Sequence, residues 1–168
     1  DPSVEATGHF YVGQMYMFQG HFDDGERRLN AVLDLVTSHP RLSLGTTMNR
    51  PAAWIRAMLG GIECARGEFV DGLATGRDAL LMAALQFVDR PGYAALLLRR
   101  TFPDLRQPGA LMPRLAEWLA GSGATWREMD RTWSFSSGAT ITFGYAESLA
   151  DIQRAYQGAE YQFIGIDE

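Results

Sequence analysis

Apolar residues recur at helical spacing from Val4 to about Val88, and the pattern repeats itself. Phe18-Gln19-Gly20-His21-Phe22-Asp23-Asp24-Gly25 matches Ala65-Arg66-Gly67-Glu68-Phe69-Val70-Asp71-Gly72 at an offset of 47 residues. Each copy predicts an apolar helix, a turn at Gly20 or Gly67, and a second helix. In the first copy the second helix places Phe22, Leu29, Val32, Leu33 and Val36 on one stripe, and His39-Pro40 stops it. Residues 38–50 add a loop between the copies.

At Pro91-Gly92 the periodicity changes. Tyr93–Leu98 is a continuous apolar run, as expected of a strand covered on both faces, and Arg99–Leu105 reads as a loop. Gly109–Leu119 predicts an amphipathic helix. Strands are expected at Thr125–Met129, Thr132–Phe135 and Ala139–Tyr145, with Ile141, Phe143 and Tyr145 on one face. A short helix around Leu149–Tyr156 leads to Gln162–Asp167, which reads as a buried apolar strand ending on the adjacent acids Asp167 and Glu168. The expected fold is α+α/β. A four-helix array over 1–90 precedes a small α/β sheet over 91–168. In that sheet Tyr93–Leu98 and Gln162–Asp167 form a central parallel pair, with a hairpin over Trp126–Tyr145 at an edge.

Composition narrows the chemistry. The chain has 168 residues, 46% hydrophobic and 21% charged, enough to bury a sizeable core. Its longest apolar runs are too short to span a bilayer, so no membrane partner is expected. The start, Asp-Pro-Ser-Val-Glu, has neither the basic nor the apolar region of a signal peptide, and it lacks an initiator Met, so a fragment or a trimmed product is expected. The single Cys64 fits a reducing compartment, and a net charge of −5 argues against a surface coated with nucleic acid. All 15 basic residues are arginines. His9, His21 and His39 lack metal-site spacing, and no serine-triad signature is present.

The helical half resembles the tetratricopeptide repeat, on Val12-Gly13-Gln14-Met15-Tyr16 and Gly20-His21-Phe22. It departs from that family in having Gly25 and Gly72 at the small-residue positions and in its longer period. The helix at Ala53–Gly60 resembles tetratricopeptide arrays of bacterial regulators. This resemblance implies a peptide or protein partner and no catalysis. A plain four-helix array without ligand is the alternative.

From Asp78 onward the chain resembles the ATPase domain of the large terminase subunit of tailed phages, a P-loop enzyme that drives DNA into procapsids. The segments that carry this are Asp78–Leu85, Leu98–Leu105, Trp133–Ala139, Tyr156–Glu160 and Phe163–Glu168, in that order. The resemblance implies that Asp167 and Glu168 form a Walker B element, with the plain polar end of a buried strand as the alternative. Asp167 would hold Mg²⁺ through water, and Glu168 would polarise the attacking water on ATP. It implies double-stranded viral DNA, the portal and the small terminase subunit as partners, in the bacterial host cytoplasm. It gives Arg154 a role on a neighbouring subunit's nucleotide, with a solvated helix-end arginine as the alternative. Arg99 and Arg100 would touch phosphate or DNA, or else cap carbonyls and pair with Asp104. Trp126, Trp133, Phe135 and Phe143 suit base stacking or cross-strand packing.

The phosphate loop is where the sequence departs from this family. Gly72-Leu73-Ala74-Thr75-Gly76-Arg77-Asp78 has glycines too close together, Arg77 in place of the P-loop lysine, and no hydroxyl after it. Gly76 and Arg77 therefore mark a degenerate nucleotide-binding position, and an inactive ATPase fragment is expected. The two resemblances meet inside one helix, about Gly67–Asp89, as they would at a junction between two joined reading frames.

Overall fold

The computed structural model describes residues 1–39 and 51–167. Among these are seven helices and a five-stranded mixed sheet, a combined helix-and-sheet class. The chain divides into two compact units, Asp1–Ala83 and Ala84–Glu168. The inserted loop falls at residues 40–50, outside the described residues, as does Glu168.

The first unit contains α1 (Pro2–Phe18), α2 (Phe22–Ser38), α3 (Ala52–Ala65) and most of α4 (Phe69–Leu85). Asp1 caps α1 by accepting from the Ser3 N–H at 2.8 Å, and Pro2 occupies the first turn, where its missing N–H costs nothing. Ala6, Phe10, Leu29, Val32, Ile55, Met58, Leu59 and Ile62 form one core shared by α1, α2 and α3. The 47-residue repeat is visible in the backbone. α2 and α4 both have 17 residues and begin 47 positions apart. Gly20 and Gly67 turn the chain at φ of 78° and 88°, a region that other residues enter only with strain.

Close helix contacts recur at the same offset. A Cβ on Gly25 would sit 3.3 Å from the Gly13 carbonyl oxygen, and one on Gly72 would sit 2.8 Å from that of Gly60. Both hairpins therefore bring backbone close to backbone, and in the second only hydrogen fits.

In the second unit the strands are β1 (Ala94–Arg99), β2 (Thr125–Arg127), β3 (Thr132–Ser134), β4 (Thr140–Tyr145) and β5 (Phe163–Ile166), in the order β2-β3-β4-β1-β5. β1 is parallel to both neighbours, pairing Leu97 with Phe143 on one side and with Gly165 on the other. Its Ala95, Leu96, Leu97 and Leu98 are all buried, which is why the run lacks alternation. β2 and β3 complete the sheet as an antiparallel hairpin, with Trp126 opposite Trp133.

Three expectations need correction. The final strand does pair in parallel with β1, but it is the sheet's outer strand rather than a central one, with Ile164 57% and Ile166 63% exposed. The central partner of β1 on its other side is β4, a parallel pairing that local pattern cannot reveal. The segment after β1 is not wholly loop, because Phe102–Leu105 forms the short helix α5.

α6 (Leu111–Leu119) lies beside the hairpin, where Met112, Pro113 and Ala116 line a groove with Trp126 and Trp133. α7 (Leu149–Tyr156) lies along the opposite sheet face, beside Leu96, Leu98, Ile164 and Ile166. A reciprocal capping box starts α7: Ser148 Oγ accepts from the Asp151 N–H, and the Asp151 carboxylate accepts from the Ser148 N–H. At its far end Tyr156 rests on Gly144 of β4, where any Cβ would collide with the phenol oxygen.

The two glycine contacts generate a contrast that chemical denaturation can measure. Gly72→Ala should cost about 2–3 kcal/mol, since the methyl group meets a backbone carbonyl that cannot move away. Gly76→Ala, four residues along the same helix with open space around its Cβ position, should be neutral or stabilise by up to about 1 kcal/mol.

Candidate functional site

Parallel strands direct their carboxyl ends to one edge of the sheet, and crevices there form where adjacent connections leave on opposite faces. Here the chain leaves β1 toward α6 on one face and leaves β4 toward α7 on the other. Between them lies a cavity of about 500 Å³ lined by Leu98, Arg99, Arg100, Asp104, Ala146, Glu147, Ile152, Ile166 and Asp167. The ends of all three parallel strands contribute to it. The backbone is fixed at each: Ala146 donates to the Arg99 carbonyl at 3.0 Å, and Asp167 donates to the Leu98 carbonyl at 2.9 Å.

Asp167 is buried, with its side chain 5% exposed, and its Oδ2 lies 3.1 Å from Arg99 Nη1. The same guanidinium nitrogen donates to the Asp104 carbonyl at 3.2 Å, tying the α5 turn to the end of β5. Thr101 Oγ1 donates to the Asp104 carboxylate, so that acid is engaged within its own turn rather than with Arg99. Arg99 thus caps a carbonyl and neutralises Asp167 at once. Arg100 and Glu147 are exposed at the rim.

The remaining residues singled out from sequence lie elsewhere. Arg154 is 80% exposed on α7, 3.9 Å from Asp151, one helical turn away. Gly76 and Arg77 lie in the interior of α4, in the first unit, where backbone N–H groups serve the helix ladder. Trp126 packs on Trp133 with ring centres 5.5 Å apart and on Phe143 at 6.1 Å, a cross-strand cluster. His9 lies beside the Arg28 guanidinium at 3.2 Å. Among the described residues no group of three or more His, Cys, Asp or Glu could hold a metal ion.

Two features of this edge escaped the sequence reading. Arg131 has a φ of 52°, uncommon for a residue with a side chain, and its guanidinium lies 3.9 Å from the centre of the Phe102 ring and 5.7 Å from that of Tyr145. The signal for it was a tight turn between two strand-like runs with no glycine to make it. Tyr156 was the other. Burial raises its phenol pKa above the ordinary value, and a glycine within an otherwise β-rich run, Gly144, was the clue.

Comparison with protein-family models, with curated proteins and with solved structures gave no match. Among the described residues no helix is long and apolar enough to cross a membrane.

The Arg99–Asp167 pair predicts an asymmetric mutational response. Arg99→Met should destabilise by about 3 kcal/mol in urea titration, because it removes the compensating charge 3.1 Å from a buried carboxylate. Asp167→Asn should cost less, since Arg99 keeps the Asp104 carbonyl. Combining the two should recover part of the Arg99→Met loss, and strictly additive costs would contradict a direct pair.

Proposed function

We propose that the second unit is an α/β sheet of the nucleotide-hydrolase type, related to phage terminase motors and catalytically silent in this chain. The observation that carries the reading is Asp167, a buried acid at the carboxyl tip of a parallel strand beside a second parallel strand. That is the position from which a Walker B acid holds Mg²⁺ through water.

Three features argue that the chemistry is lost. The chain has no lysine to reach the β- and γ-phosphates. Gly76 and Arg77 sit in a helix interior, so their N–H groups are not presented to a phosphate. Arg99 already occupies the carboxylate that a hydrated Mg²⁺ would need. The residues present do not fit Mg²⁺–ATP, and no hydrolytic step is assigned to them. On this reading Arg100, exposed at the rim, is the residue open to phosphate or DNA. Arg154 acts at most on a neighbouring chain, and viral DNA, portal and small terminase subunit are partners of the ancestral motor.

A second reading applies to the first unit. The coincidence of helix starts, turns and glycine contacts at one 47-residue offset favours a tetratricopeptide-like stack that binds a protein or peptide.

Titration of Mg²⁺–ATP into the full chain should give no saturable binding tighter than about 1 mM and no phosphate release above the protein-free rate. Phosphate release that disappears in Asp167→Ala would overturn the loss of activity.

A further inference from the structure

The repeat gives every residue of the first hairpin a counterpart in the second, and the counterparts differ in what covers them. On α3, Ile55, Met58, Leu59 and Ile62 are buried in the core shared with α2, with Ile55 and Ile62 at 0% and 1% exposure. Their counterparts 47 positions earlier on α1 are Gly8, Tyr11, Val12 and Met15. These keep an apolar character yet stand open, Tyr11 at 58% and Met15 at 59% exposure. Among the described residues, the face of α1 that corresponds to the α2-binding face of α3 therefore stands uncovered.

The other half of that contact also has an open counterpart. The start of α2 meets the end of α3 through Arg66, which pairs with Asp23 and, at 2.6 Å, with Glu26. Forty-seven positions on, Asp23 and Glu26 become Val70 and Leu73 of α4, exposed to 82% and 45%. Forty-seven positions back, Arg66 becomes Gln19. Charge has been removed from both sides of the contact together. Seating Val70 and Leu73 beside Gln19 and Met15 would repeat the α2–α3 geometry and leave no unpaired charge buried.

We infer that the helical unit stacks head to tail on a second copy of this chain, the start of α4 in one copy covering the open face of α1 in the next. The inference rests on the repeat reading of the first unit. Such a contact is heterologous: a pair of copies retains one free α1 face and one free α4 face, so assembly continues past the dimer.

Sedimentation of the full chain from about 5 to 500 µM, a span that brackets weak protein contacts, tests this. The average mass should climb past that of a dimer. Met15→Glu and Leu73→Glu should each weaken association about a hundredfold, by burying an unpaired carboxylate. An equimolar mixture of the two variants should form a one-to-one dimer and nothing larger, since one intact α1 face and one intact α4 face remain. A monomer throughout the range overturns the proposal, as does a closed dimer indifferent to Leu73→Glu. Hydrogen exchange on the same samples separates the two levels. A monomer in which α1 to α4 are all protected sinks the stacking and leaves the repeat standing. Absence of protection in α3 and α4 sinks both.

Discussion

The helical unit depends on two places where backbone touches backbone. At Gly13 with Gly25 helices approach so closely that a methyl group would be tight, and at Gly60 with Gly72 it has no room. This closeness sets the spacing of each hairpin and lets Phe10, Leu29, Val32 and Ile62 reach one another in a shared core. Glycine is expensive in a helix, by about 1 kcal/mol relative to alanine. Its recurrence at one offset is best understood as the cost of keeping the same crossing twice.

The α/β unit is organised differently, around β1. A strand with parallel partners on both sides and helices over both faces has no room for a polar side chain along its length. Its first polar residue is Arg99, at the point where the sheet ends. Along β1, ionic chemistry therefore begins at the carboxyl edge, where Asp167, Arg99 and the Asp104 turn converge. A hydrated metal ion and the Arg99 guanidinium would compete for one carboxylate. The guanidinium is covalently attached, and the same nitrogen is already bonded to the Asp104 carbonyl.

What could be read from sequence followed the range of the forces involved. The starts of α2 and α4, the turns at Gly20 and Gly67, and helices near 111–119 and 149–156 rest on local periodicity and glycine, and they stand close to where the pattern puts them. The mixed helix-and-sheet class was equally legible. Strand order was not. Phe163–Ile166 contains no polar residue, and composition alone gives a buried strand, whereas exposure depends on which partners lie beside it. The parallel match of β1 with β4 links residues 46 positions apart and leaves no local trace. At the site, Asp167 and Arg99 were each singled out from sequence, but their pairing across 68 residues was not, nor was the engagement of Asp104 with Thr101.

The outer strand has a colloidal consequence. Sheet edges in soluble proteins are ordinarily guarded by a charge, a proline or a bulge, which discourage other strands from adding to them. Phe-Ile-Gly-Ile has none of these, and among the described residues β1 is its one strand neighbour, with Ile164 and Ile166 exposed. A second strand of any origin finds both the hydrogen-bonding template and the apolar surface ready. β5 is thus the segment at which precipitation would nucleate in concentrated or warmed solutions. A lysine at position 164 would be the smallest change that guards it.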